Sequence, residues 1–246
     1  MAKKKWEISP VARLTGSNIR LKQEVDGLER STRGLGRLRY YNRKSVVAPV
    51  KGDLIVGLIV DGTVAVRKLQ ANGNNRILNF LGPNELIFPA LYRIPAVELE
   101  TMTAVTIRCM SKTDLADGLA RDASLMDLML NAAALQADTL LDQVAIAGGT
   151  GFRQLIHFLL WSVARPLDND ETVVSIKGHH VVVISINRSA LAAYIGKTTT
   201  ALSQMLRWLE SEGLIRRLSP HRIEILQQAR LLALAGHDQA VRSRTS

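Results

Sequence analysis

Hydrophobic and polar positions follow one rhythm in the first half of the chain and another in the second. From about Arg37, short β-branched runs fall at Ser45–Val50, Leu54–Val60, Thr63–Leu69, Arg76–Leu81, Val97–Met102 and Thr106–Ser111. Turn signals separate them: Lys51-Gly52-Asp53, Asp61-Gly62, Asn72-Gly73 and Gly82-Pro83-Asn84. Asp-Gly and Asn-Gly supply the positive φ that tight hairpins need. Several short strands at roughly 10-residue spacing predict a small barrel or sandwich. Residues 1–35 are polar and irregular, with Ile19, Val25 and Leu28 spaced for a short helix.

The period then lengthens. Asp114–Ala147 carries almost no β-branched cluster and no proline, which predicts one long helix. Leu125, Leu128, Ala132, Leu135 and Thr139 form one row at steps of three and four, continued by Asp142 and Ile146. Leu130, Ala134, Ala137, Leu141 and Val144 form a second row beside it. A helix with two such rows packs on its own domain with one and meets a partner with the other; a single buried core helix is the alternative. The row from Leu125 to Thr139 is assigned to dimerisation. Gly148-Gly149-Thr150-Gly151 breaks the helix and reads as a hinge. Phe152–Arg165 is helical again, with Phe152, Leu155, Ile156, Leu159, Leu160 and Val163 on one face, and Pro166–Asp170 ends it. Val173–Ser185 is strand-like, with a polar break at Gly178-His179-His180.

Residues 185–226 carry the most specific pattern. Asn187 is a good N-cap for a short helix over Arg188–Ile195. Gly196 makes the turn, Thr198 caps a second helix running to about Glu212, and Gly213 stands at the C′ position. Ala201, Leu202, Met205, Leu206 and Leu209 give that helix its apolar face. Two helices joined by a short glycine turn fit the helix-turn-helix. Leu214–Leu218, Ser219-Pro220-His221 and Arg222–Leu226 then read as strand, turn and strand, the wing of a winged helix. Lys197, Thr198, Thr199, Thr200, Ser203, Gln204 and Arg207 remain off the core face of the second helix. All can hydrogen-bond and none is acidic. In a major groove Gln pairs with adenine, Arg with guanine, and Thr methyls pack on thymine. Lys197, Thr198, Thr199 and Arg207 suit phosphates equally well. Arg188, His221 and Arg222, with Arg216 and Arg217, are the candidate flanking phosphate contacts.

Charge sharpens this picture. The chain has 246 residues and a net charge of +10. Residues 1–50 contribute +8, residues 51–150 contribute −3, and residues 151–246 contribute +5. Basic ends around a slightly acidic middle suit a polyanion-binding part joined to a part with another task. Aromatic residues are only 4%, which disfavours stacking on single strands as the main mode. No apolar run reaches the ~20 residues of a membrane span, and Met1–Trp6 is basic without an apolar run behind it. The expected compartment is the cytoplasm. Cys109 is the single cysteine, so an internal disulfide and a four-cysteine metal or cluster site are excluded. Its alternation with Ile107 reads as a small buried side chain rather than a redox switch. All five histidines follow residue 150, which argues against a metal-dependent barrel enzyme and against haem in the barrel. His157, His179 and His180 are a weak metal constellation, because adjacent strand residues point to opposite faces. No nucleophile–base arrangement or Walker-type loop is present, so no enzyme and no cofactor are expected.

The order of barrel, long helix, glycine break and winged helix resembles the bacterial regulators typified by the cyclic-AMP receptor protein and the fumarate–nitrate regulator (CRP/FNR). The resemblance spans roughly residues 40–228. In the barrel it is carried by Lys51-Gly52-Asp53, Leu58–Val66 and Leu81–Leu86; in the C-terminal part, by Leu191–Gly196 and Met205–Ile215. It implies an α+β fold: a β-roll of the cyclic-nucleotide-binding jelly-roll type, a dimerisation helix, and a C-terminal winged helix-turn-helix. The implied division is 1–36 basic extension, 37–113 roll, 114–147 dimerisation helix, 148–151 hinge, 152–228 DNA-binding domain and 229–246 tail. The resemblance further implies a homodimer, a palindromic double-stranded operator and promoter binding; RNA polymerase is the candidate partner if the roll is a protein-interaction module, and no membrane partner is expected.

The chain departs from the family where ligand and sequence are read. Thr199, Thr200, Ala201 and Gln204 stand where cyclic-nucleotide binders carry an Arg-Glu-Thr-type start and a later Arg, so the operator should differ. Pro95 stands where the phosphate-gripping Arg is expected, Arg93 lies at a shifted position, and Glu98 and Glu100 follow as expected sources of repulsion. Ala137-Asp138 replaces the hydroxyl pair that meets the base. The expectation is a regulator unresponsive to cyclic AMP; the alternative is a roll that binds another ligand, such as a cyclic dinucleotide, or a protein partner.

Overall fold

The computed structural model describes residues 27–47, 54–69, 75–88, 97–147, 150–164 and 179–237. The basic start of the chain, the turns at 51–53 and 72–73, Arg93 and Pro95, Gly148-Gly149, Pro166–Asp170 and the end beyond residue 237 lie outside the described residues.

Seven strands build the N-terminal part: β1 (Arg37–Tyr41), β2 (Leu54–Asp61), β3 (Val64–Leu69), β4 (Asn75–Leu81), β5 (Leu86–Ile87), β6 (Val97–Thr101) and β7 (Val105–Ser111). They form two antiparallel sheets in the orders β1-β7-β2-β5 and β4-β3-β6. Strand alternation sets the layers. Val64, Val66, Leu81, Leu99 and Ile107 pack together between the sheets. Ala65, Ile77 and Phe80 point the other way and join the core of the C-terminal part. The six predicted β-runs are recovered within a residue or two, except that Ser45–Val50 contributes a single described bridge, Val46 to Glu100. β5 has two residues, too few for a period to show.

A helical layer covers the outer face of the larger sheet. It comprises α1 (27–32), α2 (Lys112–Arg121) and α3 (Ser124–Ala147). Leu28 and Leu35 are buried there with Val56, Leu58, Leu86, Met110 and Leu125. The expected extension up to residue 36 therefore ends in a packed helix. The single helix expected over 114–147 is two helices. Asp122 causes the break: its carboxylate accepts from the Ser124 backbone N–H at 3.0 Å and from the Ser124 hydroxyl at 2.6 Å, capping the second helix. Ser31 donates to the other oxygen at 2.9 Å and ties α1 to the same corner.

The two rows on α3 fall differently from the assignment. Leu125 is wholly buried in its own chain's core, and Leu128 and Ala132 pack against that core. The sheet beneath supplies their apolar partners, so these three face inward, and Leu125 is buried within its own chain. The side chains of Leu135 and Thr139 lie outside the described residues. Leu130 is 59% exposed and Met126 46% exposed, with Ala134 and Ala137 also exposed. Among the described residues of the second row, Leu130, Ala134 and Ala137 are all exposed.

The C-terminal part consists of α4 (Gly151–Ala164), β8 (His180–Val183), α5 (Arg188–Tyr194), α6 (Thr199–Ser211), β9 (Ile215–Ser219), β10 (Arg222–Ile225) and α7 (Gln228–Leu232). A π-helical turn, Ala233–His237, follows. The sheet order is β8-β10-β9. Leu155, Leu159, Leu191, Ile195, Leu202, Leu206, Leu209 and Ile223 fill the core. The described start of the expected tail is packed: Leu231 is fully buried, and Arg153 donates to the Ala235 carbonyl at 2.8 and 3.1 Å. An arginine on the first turn of α4 thereby closes the end of the domain, a link that local spacing does not reveal.

Candidate nucleic-acid interface

The helix-turn-helix is held by caps at both ends of both helices. Asn187 accepts from the Ala190 N–H at 2.8 Å, and the Thr198 hydroxyl accepts from the Ala201 N–H at 3.1 Å. Gly196 (φ 63°) and Gly213 (φ 64°) end the helices in the left-handed region. At the first end Lys197 N–H reaches the Ala192 carbonyl at 2.9 Å; at the second, Leu214 N–H reaches Leu209 at 3.0 Å. These are Schellman closures, and L-residues with side chains are strained in them.

Leu202, Leu206 and Leu209 turn α6 inward, each burial stabilising by about 1.5–3 kcal/mol. The opposite face then has to point to solvent. Lys197, Thr198, Thr199, Thr200, Gln204 and Arg207 are exposed, and Ser203 is half-buried. No acidic side chain lies in the first turn. The macrodipole and the uncancelled cations therefore give this end of the helix one sign of charge, suited to an anion. Two groups are partly occupied within the helix. The Ser203 hydroxyl donates to the Thr199 carbonyl at 2.8 Å, leaving an acceptor outward. Arg207 Nε donates to the Ser203 carbonyl at 3.3 Å, leaving the other guanidinium N–H groups free to point outward. Gln204 stands between them with its amide open to solvent.

Two contacts that the sequence pattern does not announce fix α6 against α4. The Phe152 and Trp208 rings meet edge-on with centroids 4.9 Å apart. The Lys197 stem lies across Gly151, where a Cβ would come within 2.7 Å of Lys197 Cγ. Gly151 thus belongs to helix packing rather than to the hinge.

The wing divides its basic residues. Arg217 forms a two-pronged pair with Glu210 of α6, with Nε to Oε2 at 2.8 Å, and the Arg217 backbone N–H adds a third bond at 3.1 Å. These bonds hold the Glu210 carboxyl below the usual range. Arg216 pairs at 3.1 Å with buried Glu224, whose other oxygen meets His179 at 3.2 Å. Arg217 is thereby tied to the wing's own architecture, whereas Arg216, 59% exposed, is paired only through its Nε among the described residues. His221 and Arg222 stay exposed at the wing turn. The His221 Nδ1 lies 3.0 Å from the Ile184 carbonyl, which only accepts, so Nδ1 carries the proton and Nε2 is left outward. Arg188 is exposed on the first turn of α5. The turn, α6, the wing tip and the start of α5 thus carry all ten predicted DNA-facing residues on the surface or half-buried beside it.

The roll corrects one expectation. Glu98 and Glu100 alternate with Leu99, which faces the roll interior, so both carboxylates point away from it. Glu100 instead pairs with Arg67, and Glu98 lies opposite Arg67 in the ladder. The repulsion expected inside the roll does not arise from these two residues. Cys109 packs at the edge of the interior, where burial pushes its thiol up against a smaller opposing effect of Arg39. Among the described residues, no three His, Cys, Asp or Glu side chains come together for a metal, and no helix is long and apolar enough to cross a membrane.

Residues 153–234 match the family model described as the Crp-like helix-turn-helix domain. No curated protein sequence matches the chain. Solved structures share its fold over most of its length. FixK2 of Bradyrhizobium japonicum is 19% identical with a TM-score of 0.64, covering 81% of this chain and 97% of its own. A cyclic nucleotide-binding domain containing protein of Listeria monocytogenes is 19% identical with a TM-score of 0.64, covering 85% and 99%. A CRP-family transcriptional regulator of Thermus thermophilus is 19% identical with a TM-score of 0.57, covering 80% and 96%. The chain carries a Crp-like helix-turn-helix domain behind a β-roll and has the fold of the CRP/FNR family of transcription regulators.

Proposed function

We propose that the protein is a homodimeric, sequence-specific regulator that binds a palindromic operator through α6. The observation that carries this is the exposed, acid-free face from Lys197 to Arg207, fixed by caps at both ends of α6 and by Phe152 at its flank. Gln204 and Thr200 read base edges, while Lys197, Thr198, Arg188, His221 and Arg222 hold phosphates and set register. Two copies meet along the open row of α3, Met126, Leu130, Ala134 and Ala137. Their second copy presents the same helix, so two half-sites lie about one helical turn, 34–36 Å, apart.

Cyclic AMP is not the effector in this reading. Pro95 supplies no guanidinium fork for a phosphate, and Ala137 supplies no hydroxyl for a base. Among the described residues, Lys197, Thr198, Thr199, Thr200, Gln204 and Arg207 are exposed. Titration of the purified protein with a mixed-sequence duplex at rising salt tests the electrostatic half of this reading. Log affinity is expected to fall linearly with log salt. Failure to bind at low salt would remove it.

A further inference from the structure

The inward face of α3 is apolar through Leu125, Leu128 and Ala132, and then it carries a glutamine. Gln136 stands about one turn after Ala132 and is 8% exposed. Helical spacing calls for an apolar side chain there. Its Nε2 donates instead to the Leu86 carbonyl at 3.0 Å. Among the described residues, its Oε1 is buried without a partner. One buried bond is made and one buried acceptor is left bare, which packing alone does not favour.

The sheet explains why Leu86 needs a donor. β5 ends the larger sheet, with β2 on one side of it. The Ile59 N–H donates to the Glu85 carbonyl at 3.0 Å, so by antiparallel alternation the Leu86 carbonyl points away from β2. Leu86 is wholly buried, and a buried carbonyl has to be paired. The same stretch of chain reaches the helix-turn-helix domain. The turn from β4 into β5 is tied at both ends: Gly82 N–H donates to the Glu85 carboxylate at 2.7 Å, and Asn84 N–H donates to the Ile59 carbonyl at 2.7 Å. Two residues before Gly82, Phe80 packs against Tyr194 of α5 and Phe158 of α4. One end of this short segment is thus inside the core of the helix-turn-helix domain, and the other is bonded to α3. Ala134 and Ala137, on either side of Gln136 in sequence, are exposed.

We propose that Gln136 is a positioning residue for operator binding. It fixes the segment that carries Phe80 to the long helix, and so sets the angle at which the helix-turn-helix domain, and α6 with it, hangs from that helix. The bond lies within one chain and needs no bound nucleotide. This rests on the DNA-binding reading above.

The test is binding by the full-length protein and two variants to a selected operator and to the same operator with one base pair, about 3.4 Å, inserted between its half-sites. Wild type is expected to discriminate against the inserted operator, because helices held at a fixed angle tolerate little change in spacing. Q136L keeps the size of the side chain and removes the donor. It should stay a folded dimer in sedimentation, bind the selected operator about tenfold more weakly, the weight of one buried hydrogen bond, and discriminate less between the two spacings. Q136E restores the donor only when its carboxyl is protonated, and burial favours that form. Measured as a ratio to wild type at each pH, its affinity should recover as the pH falls. Arg108, opposite Leu58 in the ladder, and Glu85, next to Leu86, are the buried charged groups on the strands packed here. They shift the pH of that recovery and not its direction. Wild-type affinity in Q136L, a weaker Q136L that keeps the full spacing preference, or a Q136E ratio that does not rise in acid would each overturn the proposal. If Q136L failed to fold, the Q136E ratio would decide alone. Binding of neither operator by wild type would overturn the α6 reading as well, a result distinguishable from a failure at Gln136 alone.

Discussion

Phe80 of the roll and Tyr194 of α5 meet with ring centroids 5.4 Å apart. Phe158 of α4 completes the cluster, at 6.1 Å from Phe80 and 5.7 Å from Tyr194. Phe80 is 1% exposed, so a side chain from a roll strand is a core residue of the helix-turn-helix domain. Nothing loose separates the two parts at this point. Any event that moves β4 has to repack the helix that supports the recognition helix, because cores are close-packed.

Phe80→Ala should therefore cost about 3–5 kcal/mol, the usual range for removing a buried phenyl ring. Denaturant unfolding followed by tryptophan fluorescence would report it, since Trp161 lies 6.4 Å from Phe158 in the same cluster. A loss below about 1 kcal/mol would mean that the interface can open without penalty.

The Glu210–Arg217 pair makes the wing sensitive to acid. The folded-state carboxyl is held low by its bonds to Arg217. Its contribution is complete above the ordinary glutamate value of about 4.3 and is lost as pH falls through the lower folded value. Both side chains are about one-third exposed (30% and 33%), so the pair is worth at most about 1 kcal/mol. Glu210→Gln should speed hydrogen exchange at the Arg217 amide at neutral pH and leave wild type and variant alike in acid. Unchanged protection would show that the wing needs no tie to α6.

Two substitutions on α6 separate reading from holding. Gln204→Ala should relax preference at one base position per half-site, by about 1–3 kcal/mol. Lys197→Ala should weaken all sequences alike and flatten the salt slope. Binding profiles over single-base operator variants would show the split. Equal loss of specificity in both would refute the division of labour.

The open row of α3 is expected to carry the dimer. M126E/L130E should give monomers in sedimentation, while Leu125→Ala should stay dimeric and lose about 2–5 kcal/mol of stability, as a buried leucine does. Dimers that persist in the first variant would place the interface elsewhere.

Much of this was legible in local pattern. The caps at Asn187 and Thr198, the glycines at 196 and 213 and the apolar stripe of α6 are short-range signals, and each element follows its own. What local pattern cannot carry is direction. Two apolar rows on α3 are equivalent by spacing, and only the sheet beneath chooses Leu125 over Leu130. The Asp122 break is invisible to periodicity, because a capping aspartate and a helical one look alike until Ser31 and Ser124 are placed beside it. Proximity in sequence sets Glu98 and Glu100 beside the expected phosphate site, whereas strand alternation turns them outward. Phe80 with Tyr194, Arg153 with Ala235 and Arg217 with Glu210 are tertiary pairings that sequence spacing does not encode.

The most direct measurement is selection of duplexes from a random-sequence pool by the purified protein, with and without cyclic AMP. The account predicts a palindromic consensus in both conditions, unchanged by the nucleotide, with half-sites about 34–36 Å apart. It also predicts that Gln204→Ala degenerates one symmetric pair of positions. A consensus recovered only with cyclic AMP would contradict the reading of Pro95 and Ala137. No consensus in either condition would contradict the account of α6 as a helix that reads DNA unaided.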